Sequence, residues 1–407
     1  MAVNDLTITD VGTILTSIAK QATGASTLSV NNTKDFITVA QTTLKVGYDP
    51  LIASISQVLS KTIFSIRPYY RKFAGINVSN QQFGNITRKL NISDKDWETD
   101  ERLPLTDGAS VDMYKVIKPS ILQTNFYGAN KYQRHITIFK DQLDTAFSTP
   151  DEFGRFITMV MQNATDVIEQ GHETLARSVI ANFIGGILAD EDNRTRLPEG
   201  TGGAGATGGA RTIHLLTEYN ELTGQTLTAG TVYQAENFAN FMKFVVARIK
   251  SLSAMFTERT QLYQTQITDK PITRHTPYRN QKLYLYSPTQ YLTETSVLTD
   301  LYNDQYMKLM DFERVNFWQN PNSPDALNVM PIYLKSDGTL TSPTAAVNEP
   351  HVFGVLFDDE ALGYTVVNQW SATTPFNAAG GYSNVYYHFT DRYWNDFTEK
   401  GVVLLLD

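Results

Sequence analysis

The stretch TPDEFGRFITMVMQNATDVIEQGHETLARSVIANFIGG, residues 149–186, decides the fold. Thr149 is placed as a helix N-cap, Pro150 takes the first helical position, and Glu152 supplies the acid of a capping box. Behind them Phe153, Ile157, Val160, Ala164, Val167, Ile168, Leu175, Val179, Phe183 and Ile184 recur at steps of three and four. One side of the predicted helix is therefore apolar along its whole length. Gly185-Gly186 is expected to stop it. About 35 residues at 1.5 Å each make a rod of roughly 50 Å. With no heptad continuing the pattern, this is a spine and not a coiled coil.

Upstream of the spine the pattern changes. Between Phe83 and Phe147, the segments Asn85–Leu90, Met113–Ile117 and His135–Phe139 read as strands, with Asp107-Gly108 as a turn. Charged residues from Lys95 to Arg102 lie between them. The result is a long antiparallel ribbon with little core of its own. Such a ribbon is marginal alone, so it is expected to lean on another surface. Asp96, Asp100, Glu101 and Arg102 are the candidate intersubunit contacts. Further back, residues 1–80 hold seven bases against four acids in a Thr/Ser/Asn-rich context, which reads as an extended arm. Within it Leu51, Ile55, Val58, Leu59 and Thr62 predict a short helix from Pro50 to Ile66, ended by Pro68.

Downstream comes a Gly-rich loop over 189–211 and a second amphipathic helix from about Gln234 to Phe256. Phe238, Phe241, Met242, Val245, Ile249, Leu252 and Met255 form its inner side. Strands are expected at Lys282–Tyr286, Val315–Trp318, Val329–Leu334, His351–Phe357, Gly363–Gln369 and Asn384–Phe389, and a helix at Thr289–Tyr302. Gly401 leads into Val402–Leu406, five apolar residues that must be buried.

Composition bounds the chemistry. A chain of 407 residues that is 42% apolar buries a large core in two or three structural units. It has no cysteine, which removes disulfides, thiol catalysis and thiolate zinc sites. The histidines at 135, 172, 214, 275, 351 and 388 never stand at i, i+4, so a helical two-histidine metal site is absent. No apolar run is long enough for a membrane helix, and the amino terminus lacks a signal-peptide pattern. The net charge of -8 argues against a nucleic-acid binder.

The motifs that remain have plainer readings. Gly203-Ala204-Gly205-Ala206-Thr207-Gly208 matches a dinucleotide fingerprint, but lacks the preceding strand and following helix that give it meaning. His172-Glu173 reads as an exposed polar pair on the far side of the spine. Asp358-Asp359-Glu360 reads as a turn between strands and not as a cation site. The aromatic runs Tyr386-Tyr387-His388-Phe389 and Arg392-Tyr393-Trp394 read as core or interface packing. No catalytic residue, cofactor site or metal site emerges.

The order of elements resembles the major capsid proteins of tailed phages and herpesviruses, the Hong Kong 97-type fold. Local stretches are most similar to those of small short-tailed podoviruses with protein-primed replication. They are Gln142-Leu143-Asp144-Thr145-Ala146-Phe147, Gly354-Val355-Leu356-Phe357-Asp358-Asp359-Glu360, and the ending Asn384-Val385-Tyr386-Tyr387-His388 through Phe397 to Val402-Val403-Leu404-Leu405. The resemblance implies an α+β fold with an N-terminal arm and short helix over 1–82 and an E-loop region over 83–148. A peripheral domain with the spine helix and Gly-rich loop follows over 149–235. An axial domain over 236–350 and return strands to the peripheral domain over 351–407 complete it.

It also implies self-assembly as pentamers and hexamers into an icosahedral virion capsid, built in the host cytoplasm around double-stranded DNA without sequence-specific binding. A separate scaffolding protein, a portal and decoration proteins are the implied partners, with no membrane and no cofactor. Against that family pattern, residues 1–45 read as too short and polar for a fused scaffold, and no appended immunoglobulin-like domain is expected after the last strand. Three other readings stand beside this one, and the broadest, a soluble enzyme of unknown type, is weakened by the empty motif search. An encapsulin-like nanocompartment shell would use an amphipathic N-terminal helix. A carbohydrate-binding or hydrolytic phage tail protein would show β-repeats and paired carboxylates.

Overall fold

A computed structural model of the chain describes residues 8–24, 30, 33–45, 73, 76, 86–93, 100, 105–114, 116, 118, 120–127, 130–147, 149–190, 211–268, 270–287 and 312–407. The helices expected over 50–66 and 289–302, and all but the ends of the Gly-rich loop, lie outside them. Helices α1 (Ile8–Thr23) and α2 (Thr33–Lys45) precede strands β1 (Ile86–Ile92), β2 (Ile121–Tyr127) and β3 (Asn130–Phe139). Next come α3 (Lys140–Ala146), α4 (Pro150–Ala189), β4 (Thr212–His214), α5 (Leu215–Thr223) and α6 (Ala235–Thr257). Strands follow: β5 (Gln281–Tyr286), β6 (Phe312–Val315), β7 (Leu327–Val329), β8 (Tyr333–Leu334) and β9 (Leu340–Thr341). The last are β10 (Val347–Glu349), β11 (Val352–Asp358), β12 (Leu362–Thr373), β13 (Tyr382–Asn395) and β14 (Gly401–Leu405).

These elements form two compact units. The first holds the described residues within Met1–Asn85, Gly128–Leu175 and Tyr364–Arg392; the second holds those within Ile86–Tyr127, Ala176–Gly363 and Tyr393–Asp407. In the first unit the strand order is β12-β13-β3, with β3 antiparallel to β13 from Tyr382↔Phe139 to Asp391↔Asn130. Strand pleating sends Val385 and Tyr387 inward. They meet Leu15, Ile18 and Ala19 of α1, Phe36, Val39 and Ala40 of α2, and Phe153 and Phe156 of α4.

This corrects the reading of the amino terminus as an extended arm. Residues 8–23 and 33–45 are helices whose apolar positions fall at steps of three and four beneath a Thr- and Ser-rich outer face. Local bonds help: Thr43, fully buried, donates its hydroxyl to the Val39 carbonyl at 2.7 Å. The strand expected at His135–Phe139 exists but is longer and pairs with β13 instead of joining the ribbon.

In the second unit a five-stranded sheet has the order β4-β14-β11-β5-β6. β14 lies inside it, parallel to β4 and antiparallel to β11. On one face Val402, Leu404, Leu356, Leu283 and Leu285 pack beneath Phe238, Phe241, Val245, Ile249 and Leu252 of α6. On the other, Phe183 of α4 lies 6.1 Å from Phe357 and stacks on Phe397 at 5.4 Å. Both faces of β14 are covered, which is why its sequence is apolar without alternation.

The spine helix is longer than its sequence suggests. Its cap forms as expected, with the Glu152 amide donating to Thr149 Oγ1 at 3.3 Å. It then runs for 40 residues, about 60 Å, straight through Gly185-Gly186. Those glycines are not a stop. A Cβ at Gly186 would collide with the Phe397 ring, and one at Gly185 would collide with Val329. Close approach, and not helix termination, requires them.

Other strand boundaries shift for local reasons. Residues 113–114 form a turn where a strand was expected. β6 ends at Val315, where the expected strand begins. Trp318 lies beyond it and donates its indole N–H to the Val352 carbonyl at 2.8 Å. The strand expected over 329–334 is broken into β7 and β8, with Pro331, which has no N–H to donate, in the gap.

Candidate functional site

The ribbon's described part is a hairpin of β1 and β2, paired from Ile86↔Tyr127 to Ile92↔Ile121. It has no interior: Leu90 and Ile92 are 65% and 68% exposed. Its support comes from the rest of the second unit. Ser93 donates its hydroxyl to the Pro271 carbonyl at 3.0 Å, and Lys270 donates to the Ile121 carbonyl at 2.9 Å. Phe126 lies 6.2 Å from Trp394.

The main anchor is a charge cluster around Lys89 of β1. Its ammonium sits 3.0 Å from Asp396 and 3.2 Å from Glu360, and it donates a short hydrogen bond to Glu399. Arg274 approaches the same Glu399 oxygen at 2.7 Å and donates to the Thr398 carbonyl at 2.8 Å. A local turn aims these carboxylates. Asp396 Oδ1 accepts from the Thr398 amide at 2.9 Å and from its hydroxyl at 2.6 Å, bending the chain between β13 and β14.

Electrostatics follow from that packing. Burial pulls the Lys89 ammonium down, but Asp396 and Glu399 more than offset it, so its pKa ends above the usual lysine value. Burial lifts the Glu399 carboxyl to about 7 against the pull of Lys89 and Arg274. An enclosed network of this kind fixes a structural element in place and performs no reaction by itself.

Beyond the anchor, the described residues at the middle of the connection between β1 and β2 face solvent. Residues 105–114 are all exposed, and Asp107-Gly108 forms the expected turn, with Gly108 at φ +86°. Of the proposed intersubunit residues, Asp100 is exposed, while Asp96, Glu101 and Arg102 lie outside the described residues. Sequence reasoning missed Lys89, Arg274, Asp396 and Glu399, because nothing in their spacing pairs them.

The other candidates resolve into packing. His172 and Glu173 are buried, which corrects their reading as an exposed pair; the His172 ring lies edge-on to Tyr364 and Phe389, each at 6.3 Å. Asp358 accepts from Thr276 Oγ1 at 2.6 Å and from the Glu360 amide at 2.9 Å, as a turn would have it. The glycine fingerprint at 203–208 lies outside the described residues. Among the described residues no cluster of His, Cys, Asp and Glu could hold a metal ion, and no helix is long and apolar enough to cross a membrane.

Comparison with known proteins places this architecture. The fold is similar to a chain in the solved capsid structure of Staphylococcus phage Andhra, at 10% identity and a TM-score of 0.51, covering 85% of this chain and 86% of that one. It is equally similar to a chain in the structure of head fiber and inner core protein gp22 of native bacteriophage P68, at 9% identity and a TM-score of 0.51. There 84% of this chain and 86% of that one are covered. At such identities the likeness concerns the fold alone, which is the α+β Hong Kong 97-type. No curated protein matches the chain in sequence. The model of one family, the Phi29-like phage major capsid proteins, matches residues 15–403. With nearly all of its length inside that match, the chain belongs to the Phi29-like phage major capsid protein family, whose members are structural proteins and not enzymes.

Proposed function

We propose that the chain assembles as pentamers and hexamers into an icosahedral shell around double-stranded DNA, in the host cytoplasm, with a separate scaffolding protein, a portal and decoration proteins as its partners. The family match over residues 15–403 carries this reading and favours it over a nanocompartment shell or a tail protein. In it, 83–148 is the E-loop region, 149–235 the peripheral domain with the spine, 236–350 the axial domain, and 351–407 the return to the periphery. Residues 1–82 are the amino-terminal segment, helical over 8–23 and 33–45. Asp96, Asp100, Glu101 and Arg102 contact a neighbouring subunit.

The charge supports the role. A subunit with net charge -8 does not grip the phosphate backbone, so packaged DNA slides past it. A hairpin with exposed Leu90 and Ile92 finds further cover on neighbours, and ring closure limits the assembly. Sedimentation and negative-stain microscopy of the expressed protein test this, with scaffold supplied. Closed particles are expected. A 45.6 kDa monomer under every assembly condition overturns it.

A further inference from the structure

The sequence holds two Asp-Gly pairs, Asp107-Gly108 and Asp337-Gly338, and no Asn-Gly. Such a pair is chemically special, because glycine has no Cβ to keep its backbone nitrogen away from the preceding carboxyl. All four residues are exposed, and both glycines lie in the left-handed region, at φ +86° and φ +81°. The two turns nevertheless hold the pair differently.

At 337–338 the Gly338 amide donates to the Lys335 carbonyl at 3.0 Å. Asp337 Oδ1 accepts from the Thr339 hydroxyl at 2.6 Å and from the Thr339 amide at 2.8 Å. Those two donors hold the Asp337 carboxyl below the usual aspartate value, in the anionic form that does not lose its oxygen. The Lys335 amide donates to the Thr339 carbonyl at 2.9 Å and closes the loop between β8 and β9. At 107–108 a single bond spans the pair, from the Ala109 amide to the Thr106 carbonyl at 3.0 Å. Among the described residues nothing accepts from the Gly108 amide or donates to the Asp107 carboxylate. The residues on either side, 105–106 and 109–112, belong to no helix or strand.

We propose that Asp107-Gly108 is a site of spontaneous isoaspartate formation, and that the turn at 335–339 protects Asp337-Gly338 from the same reaction. The Gly108 nitrogen attacks Cγ of the protonated Asp107 carboxyl. An N–Cγ bond forms, and the carboxyl hydroxyl leaves with the amide proton as water. The resulting succinimide then takes up one water. When that water enters at the main-chain carbonyl carbon of Asp107, the bond from this carbon to the Gly108 nitrogen breaks, and the chain runs on through Cγ. Composition is unchanged and no oxidant is needed. The backbone is longer by one carbon, so the turn closed by Ala109 and Thr106 is remodelled. This inference does not depend on assembly.

The purified full chain is kept warm at neutral pH for days and probed with an isoaspartate-specific protein methyltransferase and labelled S-adenosylmethionine, and the labelled peptides are mapped. Label at 107 should accumulate roughly tenfold or more faster than at 337, because three hydrogen bonds must break before Asp337 reacts. In urea, where both turns are lost, the two sites should react at similar rates. Asp107→Glu, which would need a larger ring, should remove the label at 107 and leave the circular dichroism unchanged. Equal rates at the two sites in the folded chain overturn the proposal, as does label at 107 that survives Asp107→Glu. A difference that persists in urea overturns it too, since the flanking sequence and not the turn would then set the rate.

Discussion

Lys89 and Glu399, 310 residues apart in sequence, are joined by a hydrogen bond that ties the β1–β2 hairpin to the turn before the last strand. Asp396 and Arg274 complete the enclosure, so the cation and the two buried acids are desolvated together. Replacing Lys89 by Met strands Glu399 and Asp396 with one cation instead of two. Breaking a buried pair from one side costs about 3–5 kcal/mol. Urea unfolding of Lys89→Met should show a lower midpoint, with particle yield falling alongside it. A midpoint equal to wild type would show that the cluster anchors nothing.

Glu399 gives the cluster a pH signature. Its folded pKa, about 7, lies above the 4.5 of an ordinary glutamate. The folded state therefore holds its proton more tightly, and this group's contribution is complete below about 4.5 and lost as pH rises through about 7. At 1.36 kcal/mol per unit, the change is at most about 3 kcal/mol. Glu399→Gln removes the titration. Wild-type stability measured relative to that variant should decline between pH 4.5 and pH 7, and a flat difference would contradict the burial of this carboxyl.

Two glycines in one helix should respond in opposite directions to the same change. Gly171 of α4 has nothing within 4 Å of where a Cβ would stand, so Gly171→Ala gains about 1 kcal/mol from helix propensity. At Gly186 the added methyl meets Phe397 Cε1 at 2.6 Å and Tyr333 Cβ at 3.1 Å, and overpacking costs about 1–3 kcal/mol. Thermal unfolding of the two variants should move to either side of wild type. Shifts of the same sign would mean that the Phe397 ring yields freely.

The contrast shows what a sequence exposes to reading. The stripe from Phe238 to Leu252 was legible because helix period and burial agree, and Val402–Leu406 because a strand covered on both faces has no polar side. Gly185-Gly186 misled because a stop signal and a close contact use the same residue, and only the partner ring tells them apart. The first two helices were hidden by threonines and serines on their outer faces. His172 looked polar and exposed, yet aromatic rings enclose it. The Lys89 cluster was not legible at all, since its members come from β1, the segment near 274 and the turn at 396–399.

Lys400 carries a prediction about α6. Its side chain is buried, and Nζ donates to the Glu258 carbonyl at 2.7 Å, Thr260 Oγ1 at 3.1 Å and the Phe256 carbonyl at 3.3 Å. A cation there answers the orphan carbonyls and the negative end of the helix dipole. Lys400→Met keeps the stem and removes the donor, leaving buried acceptors unpaired at about 1–3 kcal/mol. Hydrogen exchange in the last turn of α6 should accelerate, and unchanged exchange would leave the cap without a role.

The end of the chain is the most sensitive position. β14 stands between β11 and β4, so its loss separates β4 from the rest of the sheet and uncovers β11 and the inner face of α6. Val402, Val403, Leu404, Leu405 and Leu406 are all buried, and each contributes about 1.5–3 kcal/mol as an upper estimate. Removing five such residues exceeds the net stability of about 5–15 kcal/mol that an ordinary domain possesses at its lower end. Deleting residues 402–407 should therefore give insoluble or protease-sensitive protein. Trimming residues 1–7, which precede α1, should leave a folded subunit by circular dichroism. A soluble, protease-resistant product of the carboxy-terminal deletion would mean that β11 and α6 hold together without the strand between β4 and β11. The central place of β14 in the sheet would then carry none of the stability assigned to it.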